Sequence, residues 1–171
     1  MMKKLIASTL TGLMLTGAAQ AHNVFEVNEA KAGSMMIAKL GIMHGCDGSP
    51  TTKIVVDMPD GLNRVRPADI SGWDVEITMK TLEEPFMLRG FEMWEVVDTV
   101  TWSGGSVPDF GYKQFDLWME IPDLPGTRLD FPVHQYCEEG ELHWDDTAPQ
   151  GADDPFSVPE PAPFIYVTAA E

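Results

Sequence analysis

The chain is poor in basic residues, in cysteine and in long apolar runs, and helical periodicity is almost absent. Eleven Lys and Arg stand against 27 Asp and Glu, for a formal charge of −16. Such a chain repels nucleic acid and lacks the basic patch that nucleic-acid binding needs. It should not adhere to anionic lipid surfaces either. The acidity reads first as a soluble, self-repelling surface and only second as an attractor of cations. Two cysteines are too few for a disulfide-rich scaffold. Beyond Leu5–Leu15 no apolar run approaches the roughly 18 residues of a membrane-spanning helix. Internal repeats are absent.

Lys3 and Lys4 precede the apolar run, small residues follow it, and Ala19-Gln20-Ala21 closes the segment. Basic, apolar and small in that order is the pattern of a secretory signal, with cleavage after Ala21. No cysteine follows the cleavage site, which argues against a lipoprotein. The expectation is a signal peptide over residues 1–21 and one exported domain over 22–171, long enough to bury a core. Cleavage removes Lys3 and Lys4 and no acid, so the mature chain is more acidic still. A periplasmic or secreted location is implied.

Cut there, the mature protein begins with His22. Its free α-amine and its imidazole Nδ1 can close a chelate ring on one metal ion, which an internal histidine cannot do. Imidazole and amine nitrogen suit Cu(II), at the top of the divalent affinity order and inclined to tetragonal N,O sets. The plain alternative is a histidine that happens to lead a frayed terminus.

In an oxidising compartment Cys46 and Cys137 favour a disulfide, closing a loop of about 90 residues worth nominally 4 to 5 kcal/mol. The rival reading takes His44 with Cys46 and His134 with Cys137 as a four-ligand zinc site, although the spacings match no common zinc module.

The repeating pattern is alternation, interrupted by Gly, Pro and Asp every ten residues or so. Met35–Met43, Lys53–Met58, Trp73–Met79, Val96–Trp102, Phe115–Glu120, Leu129–Tyr136, Glu141–Trp144 and Ile165–Thr168 read as strands. Trp73, Val75, Ile77 and Met79 should share one face, and Ser103-Gly104-Gly105 should stop the strand before it. Glu138-Glu139-Gly140 should turn a hairpin, and 147–163 should be an irregular loop packed on the sheets. Seven to nine short strands at this spacing indicate an all-β, antiparallel, immunoglobulin-like β-sandwich. The methionines are dispersed and read as core filler; the tryptophans likewise read mostly as core.

Several blocks then carry a resemblance. They are Ala21-His22, Ala32-Gly33-Ser34, His44-Gly45-Cys46-Asp47-Gly48-Ser49-Pro50-Thr51-Thr52, Met58-Pro59-Asp60-Gly61, Gly72-Trp73, Trp102-Ser103-Gly104-Gly105, Ile121-Pro122-Asp123, Phe131 to Gly140, Trp144 and Pro161-Ala162-Pro163. In this order and spacing the chain resembles the YcnI family of exported copper-binding proteins over nearly all of residues 22–171. The resemblance implies an immunoglobulin-like sandwich holding one Cu(II) through a mono-histidine brace. In that arrangement the amine and imidazole of the first residue, a glutamate oxygen and a nearby tryptophan surround the metal. The histidine carries over as His22 and the tryptophan as Trp144. The position of the acid aligns with Gln114, a neutral and weaker ligand, with Glu120, Asp116, Glu138, Glu139 and Glu141 as substitutes.

The function so implied is copper binding without catalysis, with delivery to a copper transporter or another copper chaperone. An oxidative enzyme of the histidine-brace type is the alternative. It needs a second histidine from His44, His134 or His143, of which the first two sit beside the cysteines and the third should point away from Trp144. A metal-free interaction domain is the third reading.

Overall fold

The computed structural model describes residues 22–170; the signal segment expected over 1–21 lies outside the described residues. Strands dominate. They are β1 (Val24–Phe25), β2 (Glu29–Lys31), β3 (Met35–Ile42), β4 (Thr51–Asp57), β5 (Val65–Pro67), β6 (Asp74–Leu88), β7 (Phe91–Val107), β8 (Lys113–Glu120), β9 (Arg128–Asp130), β10 (Val133–Cys137), β11 (Glu141–Trp144) and β12 (Phe164–Thr168). A single 3-10 turn, Pro155–Ser157, interrupts the long loop before β12. One sheet has the order β1-β3-β8-β5, a second β11-β10-β4-β7-β6, and a small third β2-β12-β9. Among the described residues, all pairings between these strands are antiparallel except β12 with β2.

Alternation explains how the layers meet. On β8, Phe115, Leu117 and Met119 are fully buried while Gln114, Asp116, Trp118 and Glu120 face outward, as the sequence predicts. They join Leu40 and Ile42 of β3 and meet Ile54, Val56, Val100, Trp102 and Val133 from the second sheet in one continuous core. Trp102 packs on Phe115 at 5.3 Å between ring centroids, and Phe25 packs edge-on to Phe131 at 4.9 Å. Each such side chain contributes about 1.5–3 kcal/mol by leaving water.

Three expectations change in detail. The strand over Val96–Trp102 does not stop at Ser103-Gly104-Gly105 but runs on to Val107. Gly105 is there because the Trp73 indole lies where a side chain would begin: a Cβ would overlap its ring. Trp73 is buried, yet Val75, Ile77 and Met79 are 37–48% exposed. β6 is an edge strand of a hairpin longer than the three-residue β5 available to cover it, so these residues line an open groove with Phe86, Met93 and Trp118. The segment over Leu129–Tyr136 divides at Phe131-Pro132. Its first part pairs with β12 in the third sheet and its second with β4 and β11 in the second.

Candidate metal centre

The site forms where the first described residues, His22 and Asn23, meet the end of β11. On β10, Val133 and Gln135 point inward and His134 and Tyr136 outward. Gln135 is fully buried, so its amide must find every partner inside the protein. Its Oε1 accepts from Asn23 Nδ2 and from Trp144 Nε1, both at 3.1 Å. Its Nε2 donates to the His44 carbonyl at 2.6 Å and to Thr51 Oγ1 at 2.8 Å. One side chain thus ties the residue after His22, the indole of Trp144 and the loop carrying His44.

The His22 ring is held on two sides. Phe156, from the 3-10 turn, stacks on it at 5.5 Å and 9° between planes. Trp144 stands edge-on at 6.1 Å and 68°. Because the indole N–H is a donor only and is spent on Gln135, Trp144 can offer a bound cation its π system but no lone pair. His44 stands edge-on to the same indole at 5.8 Å, with its Nδ1 2.6 Å from the Gly45 carbonyl oxygen. The loop bearing His44 closes tightly: a Cβ at Gly45 would overlap the Ser49 carbonyl oxygen. A disulfide between Cys46 and Cys137 fastens this loop to the end of β10, which removes both thiolates from the zinc alternative.

The structure brings His22 and Trp144 together and leaves Gln114 elsewhere. Gln114 pairs with Gly41, which pairs with Val24. It therefore lies two strands, about 9–10 Å of backbone spacing, from β1. Its Nε2 donates to Glu26 at 3.2 Å. Lys39 sits 3.0 Å from the same carboxylate; its hydrogen bond, then its charge, then the Gln114 amide hold the Glu26 carboxyl below the usual range. Of the substitute acids, Glu120 is paired with Arg64 at 2.9 Å and Glu141 with His143 at 3.1 Å. The residue after His22, Asn23, carries an Oδ1 that is buried and has no hydrogen-bond partner among the described residues. The donor set fits a borderline cation: one imidazole, the adjoining backbone nitrogen if cleavage frees it, and an amide oxygen one residue on.

Sequence reading missed Gln135, Phe156 and the approach of His44 to Trp144. Gln135 carried a weak signal, a polar residue at an inward position of an alternating strand. Phe156 carried only its isolation, one aromatic in a loop of Pro, Asp and Ala. His44 was read beside its cysteine, whereas the disulfide turns its loop toward the indole.

Fold and site together define an immunoglobulin-like β-sandwich that displays a histidine against a buried tryptophan at one end. A solved structure of an uncharacterised protein from Nocardia farcinica, described as having an immunoglobulin-like fold, superposes with a TM-score of 0.63 at 18% identity, covering 86% of this chain and 98% of that one. Residues 22–167 match the model of the domain of unknown function DUF1775, and the chain belongs to that family. The copper-binding protein CutI of Bacillus subtilis (strain 168) is 26% identical over 147 residues, 85% of this chain and 65% of the relative. The chain thus spans slightly less than two thirds of that relative's length.

Proposed function

We propose that this protein is an exported copper-binding protein that holds one Cu(II) at His22 and passes it to a copper transporter or a second chaperone. The carrying observation is the His22 ring held between Phe156 and Trp144, directly after the Ala19-Gln20-Ala21 cleavage pattern. Similarity to a copper-binding protein supports the metal. The amine and Nδ1 of His22 bind, Phe156 and Trp144 orient the ring, and Gln135 fixes both Trp144 and the backbone at Asn23. Resemblance assigns the oxygen position to Gln114, which would have to leave Glu26 to reach the ion; Asn23 Oδ1 is nearer in sequence. Two protein nitrogens and few other donors suit a carrier, which must release its cargo.

The test compares protein beginning at His22 with protein carrying a leading Gly-Ser-Gly-Ser, by Cu(II) competition against a chelator of known affinity. That extension blocks the amine without placing His22 at the second or third position, where a new amine–amide–imidazole chelate would form. Losing one arm of a chelate should weaken the tightest site about 100-fold or more. Equal affinity in both overturns the reading.

His44 beside Trp144 gives the oxidative alternative a specific footing, since a histidine brace needs a second imidazole. It predicts substrate-dependent turnover by the copper-loaded protein with ascorbate and peroxide. The carrier reading predicts none.

A further inference from the structure

We infer that a second divalent metal site, selective for Cu(II) over Zn(II), lies on the outer face of the second sheet, with His134 and His143 as its nitrogen ligands and Asp145 as its carboxylate. It is independent of His22 and of the Cys46–Cys137 region.

The register builds it. His134 of β10 and His143 of β11 are directly opposite one another, and directly opposed residues project from the same face. That face is the outer one, because Gln135 and Trp144, their neighbours, point inward. The chain continues from Trp144 to Asp145, whose carboxylate and both imidazoles bring ligand atoms within 4.8 Å of one another. Two imidazoles and a carboxylate are a donor set of the borderline divalent metals.

The arrangement of nitrogens is the sharper observation. His134 Nε2 faces Asp57 Oδ2 at 3.3 Å, and His143 Nε2 faces Glu141 Oε1 at 3.1 Å. Ionised carboxylates only accept hydrogen bonds, so each ring is best served with its proton on Nε2. That leaves two Nδ1 lone pairs facing each other at 2.8 Å. Two acceptors at that distance repel unless they share a proton or a metal ion. Carboxylates gripping the far nitrogen of each ring are also what orient and tautomerise metal-binding histidines elsewhere.

The spacing speaks to the metal. Nitrogens about 2.0 Å from one ion are about 2.8 Å apart at a right angle and about 3.3 Å apart in a tetrahedron. The observed 2.8 Å matches cis positions of a tetragonal ion, the preference of Cu(II), and would have to open by about half an ångström for tetrahedral Zn(II). Lys53, whose strand neighbours Ile54 and Val56 point inward, sits over the Tyr136 ring at 3.8 Å. It does not occupy the place between the histidines.

Three proteins beginning at His22 test the inference: the unaltered chain, His22→Ala, and His134→Gln with His143→Gln. Each is titrated with Cu(II) and separately with Zn(II), counting bound ions by native mass spectrometry and following the histidine ring signals by NMR. Circular dichroism melts check that the variants fold. The expected result is two Cu(II) ions on the unaltered chain, one on His22→Ala with the His134 and His143 signals broadened, and one on the double variant. Zn(II) should bind the outer site at least about tenfold more weakly than Cu(II). One ion on both the unaltered chain and His22→Ala, and none on the double variant, would sustain the outer site while removing the His22 reading. If the folded double variant binds as many ions as the unaltered chain, or Zn(II) is held as tightly as Cu(II), the inference is overturned.

Discussion

Gln135 uses both ends of its amide inside the protein, so water cannot replace what a substitution removes. Gln135→Leu keeps the volume but leaves the Asn23 amide, the Trp144 N–H, the His44 carbonyl and the Thr51 hydroxyl without this partner. A buried polar group left unpaired costs about 1–3 kcal/mol. With several orphaned together, the expected loss is about 3 kcal/mol or more, read as a lower urea midpoint at unchanged m-value. Gln114 behaves differently because it is on the surface and already bonded to Glu26. Gln114→Ala should change Cu(II) affinity by less than about threefold, under 1 kcal/mol. A tenfold loss in chelator competition would instead put its oxygen on the metal.

At the scale of elements, the disulfide and the loop over 147–163 deliver side chains that β1 and β11 alone would not gather. Arg128 anchors that loop: it is buried, pairs with Asp130 at 2.6 Å, and its guanidinium donates to the Ala148 carbonyl. The hydrogen bond to Asp130, partly opposed by burial, raises its pKa, so it stays charged. Gln150 exchanges hydrogen bonds with the Arg128 backbone, and Phe156 reaches His22 from the loop thus fixed. The disulfide spans 91 residues, and opening such a loop in the unfolded chain should cost about 4 kcal/mol of stability. Protein reduced with dithiothreitol should therefore unfold at clearly lower urea than oxidised protein. Coincident curves would mean that the cross-link adds nothing.

The same scale shows what was legible beforehand. Alternation located β4, β8 and β12 because one face of each is buried, and burial on one face is what alternation records; for β3 the pattern is ambiguous, and Gly33, Gly41 and the turn over 45–48 mark it as a strand. On β6 it put Val75, Ile77 and Met79 on one face, as found, but that face lines a groove instead of the core. It misjudged Gly105, which serves tertiary packing rather than a turn. His22 and Trp144 were legible through local pattern and resemblance. Gln135, Phe156 and His44 were not, because their role depends on contacts across the fold.

For the molecule as a whole, the sandwich is a frame that carries both proposed metal sites on its surface and not in an enclosed pocket. The large open groove lies along the β6–β7 hairpin, lined by Val75, Ile77 and Met79, none of which lies in the strands or loops that build the His22 site. β11 separates two histidine environments: Trp144 turns inward to His22 and His44, while His143 turns outward to His134. The strongly acidic surface raises the local concentration of cations around both. What distinguishes the inner site is its dependence on the covalent state of one nitrogen. In the proposed carrier both donors of His22 bind only when deprotonated, so protons compete with copper there. An amide in place of the amine removes one arm altogether.

The most direct measurement is the electron paramagnetic resonance spectrum of one equivalent of Cu(II) on protein that begins at His22, recorded beside the same protein with a leading Gly-Ser-Gly-Ser. A tetragonal, nitrogen-rich signal on the first, replaced by a different signal or by free copper on the second, is the predicted result. Identical spectra from the two proteins would contradict it, because the terminal amine would then have no part in holding the metal.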